Sequence, residues 1–403
     1  MPRLLLLILA LVLSACATAP EGTAPGRPLV ILVGVDGFRP DYLERGVTPT
    51  LNRLRAEGAF AAMRPSFPSV TFPNHYTLVT GLHPDRHGIV NNTMIDAELG
   101  RFSLGNAAAV TDRRWWDGGE PIWVTAERAG LVTGTMFWPG SEAEIGGVRP
   151  TRWTVFDQSM PGDARVDQVL AWLDLPGDER PDFATVYFDI VDTAGHNHGP
   201  DSAQVTEAAA SVDASIARLI AGLEARGLAD RTTIVVAADH GMAATAPERA
   251  IHLDDLIDLD HIRIVHSGAF VGINPVSGHE AAVEAALVRR HAHMECFRKE
   301  DVPARLAYGR HPRVPAIICL PDAGWLAVTR ERPVRRAGGA HGYDNAAPEM
   351  AALFIAHGPG VRPGVMLNDM DAVDVHPLLA HLLGLQAPRG DGSLEDLRPA
   401  LSR

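Results

Sequence analysis

The sequence predicts an α/β fold with a mostly parallel central sheet, helices on both faces and a small inserted α+β subdomain. Three observations carry this. Four apolar runs are too short for helices and too continuous for half-exposed strands: LVILVGVD (29 to 36), FATVYFDIVD (183 to 192), TTIVVAAD (232 to 239) and MAALFIAHG (350 to 358). Such runs suit central parallel strands covered on both sides. Amphipathic stretches such as TPTLNRLRAEGA (48 to 59) and DSAQVTEAAASVDASIARLIAGLEARG (201 to 227) lie between them, and strand–helix alternation indicates layers. Between about 250 and 335 the pattern changes to GAFVGINP, HEAAVEAALVRRHA, MECFRKED, VPARLAYG and VPAIICLPDAGWLAV, read as the insertion.

The chain has 403 residues, with no long linker and no internal repeat, so residues 28 to 403 are expected to form one large unit. Ahead of it stands MPRLLLLILALVLSACATAPEGTAPG: one Arg, an apolar run too short to span a bilayer, then Leu13-Ser14-Ala15-Cys16. That tetrapeptide resembles a bacterial lipoprotein signal. Residues 1 to 15 are then a signal peptide, Cys16 carries lipid, and 16 to 27 form a flexible tether. The expectation is an exported, membrane-anchored lipoprotein facing the periplasm, with an ordinary signal peptide cut nearby as the alternative.

The formal charge of −13 excludes a surface that coats nucleic acid, because phosphate binding needs clustered Lys and Arg. Carboxylates that hold cations account for part of that acidity. Cys296 and Cys319, both within the insertion, leave two readings open: one disulfide, or two separately buried thiols.

Three of the apolar runs end on an aspartate: Asp36-Gly37, Asp192, and Asp239-His240-Gly241. One such end would be a turn former or a helix cap. Three point to a site, since open α/β sheets bind ligands beyond the carboxyl ends of their strands. His196 lies four residues after Asp192, expected in a turn that returns to the strand end, and His341 sits in GGAHGYDN between glycines that permit tight backbone. Carboxylate and imidazole ligands without thiolate suit Zn²⁺ in a catalytic role. The set exceeds what one ion needs, so two ions are the economical reading, a pair about 3.5–4 Å apart serving in-line displacement at phosphorus. His75, His83, His87 and His311 are read as loop or packing residues, His198 as a candidate outer contact, and the tryptophans at 115, 116, 123, 138 and 153 as packing.

In PSFPSVTFPNHYTLVTG, Pro73 favours a first helical turn and sets Thr71 just ahead of a helix N-terminus, where backbone N–H groups attract phosphate. Thr71 either caps that helix or acts as a nucleophile. A threonine hydroxyl is weak at neutral pH, and a divalent cation would favour its alkoxide.

Taken in order, VGVDGFRPDYL, TPTLNRLRAEG, PSFPSVTFPNHYTLVTGLHPDRHGIVNN, VYFDIVDTAGHNHGP, ADHGM, AHGYDN and VDVHPLLAHLLGL resemble the nucleotide pyrophosphatase/phosphodiesterase family of the alkaline phosphatase superfamily. The resemblance implies an alkaline-phosphatase-like fold and a dizinc phosphodiesterase that acts on nucleotide phosphodiester or pyrophosphate bonds. It implies that Asp192, His196 and His341 hold one zinc, and that Asp36, Asp239 and His240 hold the other alongside Thr71. Thr71 would form a phospho-threonine intermediate that a zinc-activated water hydrolyses, Asn92 would donate to a non-bridging phosphate oxygen, and Phe72 and Tyr187 would sandwich the base. For both rings, core packing stands as the alternative. Where many relatives have Glu-Pro-Asp, this chain has Ile190-Val191-Asp192 with Asp189 nearby, which leaves the pocket rim and leaving-group preference open. The context Thr71-Phe-Pro-Asn is not the C/S-x-P-x-R of sulfatases. The readings to separate are a nucleotide phosphodiesterase, a lysophospholipid or glycerophosphodiester choline-type phosphodiesterase, a phosphomonoesterase, and a non-catalytic metal- or ligand-binding surface lipoprotein.

Overall fold

The computed structural model describes residues 27 to 386 and 388 to 402. The expected signal peptide, the lipid on Cys16 and nearly all of the tether lie outside the described residues. Among the described residues no helix is long and apolar enough to cross a membrane.

The central sheet has eight strands: β1 (Leu29–Val35), β2 (Ala59–Met63), β3 (Thr133–Met136), β4 (Arg152–Trp153), β5 (Phe183–Phe188), β6 (Thr232–Ala237), β7 (Ala352–His357) and β8 (Val365–Leu367). Their spatial order is β8-β2-β7-β6-β1-β5-β3-β4. Every residue of β1, β5 and β6 is buried, as apolar runs without alternation require. One group of helices, Pro49–Glu57, Gly162–Leu173 and Ala203–Ala225, packs together, and Thr71–Thr80, Ile122–Arg128 and Val375–Leu382 form another.

Two expectations change here. β7 pairs antiparallel with both β2 and β6 and is the one strand of the sheet that runs against the rest. Its apolar run signals burial on both faces, and burial carries no direction. The run FATVYFDIVD is not all strand: β5 stops at Phe188, and a helix, Ile190–His198, begins at once. Asp192 therefore lies in the first turn of a helix, not at a strand end.

Register sets the geometry of the site. Val35 of β1 lies opposite Phe188 of β5, and Gly34 opposite Ala237 of β6, so three parallel strands finish level. Gly37 then turns with φ of 67°, and a Cβ there would press within 3.2 Å of Asp192; glycine fits both demands. Farther along, Ala243–Thr245 pairs antiparallel with Gly338–Ala340, which carries the His341 loop back beside His240.

The stretch from about 250 to 335 forms a five-stranded antiparallel sheet, a helix at Glu280–Leu287 and a short parallel pair, Ala250–His252 with Leu326–Val328. A separate apolar cluster that includes Val271, Ile273, Val283 and Leu287 fills it. Cys296 and Cys319 sit directly opposite on neighbouring strands and form a disulfide. The bond closes a sequence separation of 23 residues, worth about 2–4 kcal/mol through the unfolded chain. A Cys296→Ala/Cys319→Ala double variant is expected to unfold at lower denaturant by that amount; an unchanged midpoint and slope would rule out a stabilising role.

Candidate active site

At the level ends of β1 and β6, Asp36 is 2% exposed and Asp239 is fully buried. Each has one carboxylate oxygen tied and one left over. Asp36 Oδ2 accepts the Tyr187 hydroxyl at 2.5 Å, and Asp239 Oδ1 accepts the Gly37 N–H at 3.1 Å. Among the described residues, Asp36 Oδ1, Asp239 Oδ2 and Asp192 Oδ1 are buried without a hydrogen-bond partner. Buried carboxylate oxygens are costly in that state unless a cation faces them.

The imidazoles are prepared in the complementary way. His196 Nδ1 lies 2.9 Å from the Gly339 carbonyl, His240 Nδ1 2.9 Å from the Gly241 carbonyl, and His341 Nδ1 2.9 Å from the Ser69 carbonyl. A carbonyl only accepts, so each Nδ1 carries the proton and each Nε2 offers a lone pair, the arrangement of a metal-binding histidine. Those Nε2 atoms converge. His196 Nε2 is 3.4 Å from Asp192 Oδ2, and His341 Nε2 is 3.5 Å from Asp192 Oδ1. His240 Nε2 is 2.9 Å from Asp239 Oδ2 and 3.5 Å from Asp36 Oδ1. The rings of His240 and His341 stack at 3.6 Å.

Three overlapping groups could each hold a cation: Asp192, His196 and His341; Asp36, Asp192 and His240; and Asp36, His75 and Asp239. The first is the set expected from the sequence. Its partners meet because Asp192 and His196 share one face of the helix Ile190–His198 at i, i+4 spacing, where the sequence reading had placed a turn. His198 is exposed at the end of that helix.

The electrostatics match a cation site. Burial, with the facing carboxylates of Asp239 and Asp192, pushes Asp36 well above the usual carboxylate range. Asp192 is also raised, by burial against the pull of His196 and His240. Burial acts on Asp239 in the same direction, but His240 and His75 outweigh it and hold Asp239 well below. Burial, reinforced by His240 and His196, keeps His341 well below the ordinary imidazole value and therefore neutral.

Thr71 is the first residue of the helix Thr71–Thr80; the cap position is Val70, and no side chain caps it. The hydroxyl is thus not spent on capping and lies 3.4 Å from His240 Nε2. Asn92 accepts the Phe72 N–H on Oδ1 at 2.8 Å, which leaves its Nδ2 as the remaining donor. Beside Thr71 opens a cavity of about 380 Å³, lined mostly by apolar side chains that include Phe72, Phe137, Trp138, Phe156 and Tyr187, with Glu142 and Gln158 as polar members. Phe72 and Tyr187 both reach it, although Tyr187 is only 8% exposed.

Two neighbours of the cluster escape the sequence reading. His75, expected as a loop or packing residue, stands one helical turn after Thr71, with Nδ1 3.0 Å from the Thr71 carbonyl and 3.3 Å from Asp239 Oδ2. Nδ1 donates to the Thr71 carbonyl and lies beside Asp239 Oδ2. The i, i+4 step from Thr71 was the available signal. Trp138, also read as packing, lines the cavity while its indole N–H donates to the His75 carbonyl at 3.0 Å. The packing reading holds for His87, which is fully buried beside Thr77 and pushed by burial to about 3.

The altered rim also resolves. Asp189 pairs with buried Arg165 at 2.9 Å and accepts from Gln158 Nε2 at 3.0 Å. Arg165 further donates to the Tyr187 carbonyl at 2.8 Å. Ile190 is 36% exposed.

Residues 30–344 match the family model of type I phosphodiesterase / nucleotide pyrophosphatase. A venom phosphodiesterase of Naja atra is 37% identical over 393 residues, which cover 94% of this chain and 47% of the venom protein. The chain thus spans about half the length of that curated relative. A solved structure of murine ectonucleotide pyrophosphatase / phosphodiesterase 5 superposes with a TM-score of 0.89 at 34% identity, covering 93% of this chain and 100% of the murine one. An inactive threonine-to-alanine variant of that murine protein, solved in complex with AMP, matches at 33% identity with the same TM-score of 0.89 and the same shares of both chains.

Replacing Arg165 by Met leaves Asp189 buried without its partner. The expected cost is about 3–5 kcal/mol in denaturant unfolding, and a loss below about 1 kcal/mol would mean that the ion pair does not hold the cavity wall.

Proposed function

This chain belongs to the type I phosphodiesterase / nucleotide pyrophosphatase family, and from that premise we propose that it hydrolyses nucleotide phosphodiester or pyrophosphate bonds and releases nucleoside monophosphates. One observation carries the proposal: a threonine hydroxyl free of any capping duty stands 3.4 Å from His240 Nε2, and the very next residue walls an aromatic cavity. The AMP bound by the murine relative is the kind of product that such a cavity would hold.

In this reading Asp192, His196 and His341 hold one Zn²⁺, and Asp36, Asp239 and His240 hold a second next to Thr71. The fit rests on buried carboxylate oxygens without partners and on Nε2 lone pairs fixed by backbone carbonyls. When bound, such ions supply a Lewis acid for phosphoryl oxygens and lower the pKa of coordinated hydroxyls. Thr71 Oγ1 attacks phosphorus, and the bond to the leaving oxygen breaks, which gives phospho-threonine. Water then breaks the threonine–phosphorus link in a second displacement. Asn92, with Oδ1 anchored to the Phe72 N–H, directs Nδ2 at a non-bridging oxygen, where charge grows in the transition state. Phe72 and Tyr187 take the base between them, a contribution on the order of 1–3 kcal/mol that is tolerant of base identity. Export and anchoring through lipid on Cys16 belong to the same proposal and rest on the leader residues alone.

The test uses zinc-loaded protein and three substrates: p-nitrophenyl thymidine monophosphate, p-nitrophenyl phosphorylcholine and p-nitrophenyl phosphate. The nucleotide diester is expected to have the highest kcat/KM. Preference for the choline ester would transfer the case to a headgroup phosphodiesterase, and preference for the monoester to a phosphatase. Thr71→Ala is expected to lose about three orders of magnitude or more in kcat while it keeps the wild-type unfolding midpoint, since its hydroxyl caps nothing. Turnover equal to wild type would remove Thr71 as the nucleophile.

A further inference from the structure

We infer that Tyr187 is a positioning residue for the metal centre as well as a wall of the cavity: its hydroxyl fixes the rotation of the Asp36 carboxylate and so sets the cation affinity of the site. The inference rests on the function proposed above and deepens it.

Tyr187 lies on β5 directly opposite Gly34 of β1, two residues before Asp36. The space over Gly34 is taken by Trp138 and His75, and the Tyr187 phenol donates to Asp36 Oδ2 at 2.5 Å. Asp36 Oδ1 has no partner of its own. A carboxylate whose one oxygen is held by a donor cannot swing freely about its Cβ–Cγ bond, so Oδ1 stays aimed at the space shared with His240 Nε2, 3.5 Å away. Asp239 solves the same problem with the Gly37 N–H. Among the described residues, the phenol is the one donor to the Asp36 carboxylate.

The ring itself is held on several sides. It meets His75 edge-on at 5.1 Å and Phe156 at 6.0 Å, and Arg165 grips its backbone carbonyl. One side of the ring faces the cavity that also contains Phe72. A single side chain thus ties the base cavity to a metal ligand, so the two recognition tasks share one rigid part.

Replacing Tyr187 by Phe keeps the ring and removes the donor. Loss of such an outer hydrogen bond typically lowers metal affinity about 10- to 100-fold. Zn²⁺ affinity is read on the full chain, stripped and then titrated against a fluorescent chelator; AMP affinity is read by calorimetry at saturating Zn²⁺. Tyr187→Phe is expected to lose about 10- to 100-fold in Zn²⁺ affinity with AMP affinity within about twofold of wild type. Phe72→Leu is expected to do the reverse. Wild-type Zn²⁺ affinity in Tyr187→Phe overturns the inference and leaves the proposed function standing. An equal loss of Zn²⁺ affinity in Phe72→Leu also overturns it, because the cavity in general would then be responsible. A wild-type chain that binds no Zn²⁺ overturns the proposed function itself.

Discussion

The structure depends on keeping three carboxylates together at one end of β1, β5 and β6. Two like charges 4 Å apart repel by about 4 kcal/mol even at an effective dielectric of 20, and Asp36 and Asp239 have almost no access to water. The fold holds them anyway through contacts outside the charged cluster: parallel register that ends three strands level, the Gly37 N–H, the Tyr187 hydroxyl, and backbone carbonyls that orient three imidazoles. The opposite directions in which Asp36 and Asp239 are pushed express the same strain. The cluster cannot ionise fully without positive charge beside it. A cation pair would supply that charge and leave all the carboxylates ionised.

The stretch from about 250 to 335 is part of this arrangement. Phe67, in the loop ahead of Thr71, packs edge-on against Phe270 and Tyr308. The Tyr308 hydroxyl donates to the Val90 carbonyl at 3.0 Å, two residues before Asn92. Asp85 accepts three backbone N–H groups, from Gly309, Arg310 and His311, and Arg313 binds Asp96 at 2.8 Å together with the Gly88 and Trp115 carbonyls. Both loops, the one before Thr71 and the one that carries Asn92, are therefore braced from the 250 to 335 stretch. Loops need such support because their own backbone makes few regular hydrogen bonds.

Legibility in the sequence followed how local each signal was. Asp36 and Asp239 could be read because an apolar run and an Asp-Gly or Asp-His end sit side by side in the chain. His341 could be read as a candidate from its glycines, but its place beside His240 depends on the pairing of Ala340 with Ala243. The direction of β7 was invisible, since burial on both faces produces the same composition whichever way a strand runs. The helix from Ile190 was hidden because IVD continues the apolar character of β5. Tyr187 could be expected at a pocket wall but not on Asp36, a contact across 151 residues. Arg165, buried against Asp189, looked like any charged residue of an amphipathic helix. What failed was information that resides in tertiary pairing; what succeeded was periodicity and chemistry within a few residues.

The same distinction explains why Thr71 and Phe72 must be neighbours. Successive residues of a helix diverge by about 100° around its axis, so at the N-terminus of Thr71–Thr80 one side chain can face the carboxylate and imidazole cluster while the next faces the cavity. Asn92 fastens the pair by accepting the Phe72 N–H, and His75 extends the Thr71 face one turn deeper to Asp239. A ligand with a phosphorus at one point and a flat ring about one sugar away would meet both surfaces at once. A phosphate ester without such a ring would meet only the first, and would gain nothing from the second. Under the proposed function, two adjacent residues in one helical turn would set where the reaction occurs and what is favoured to reach it, and the rest of the fold keeps them from moving apart.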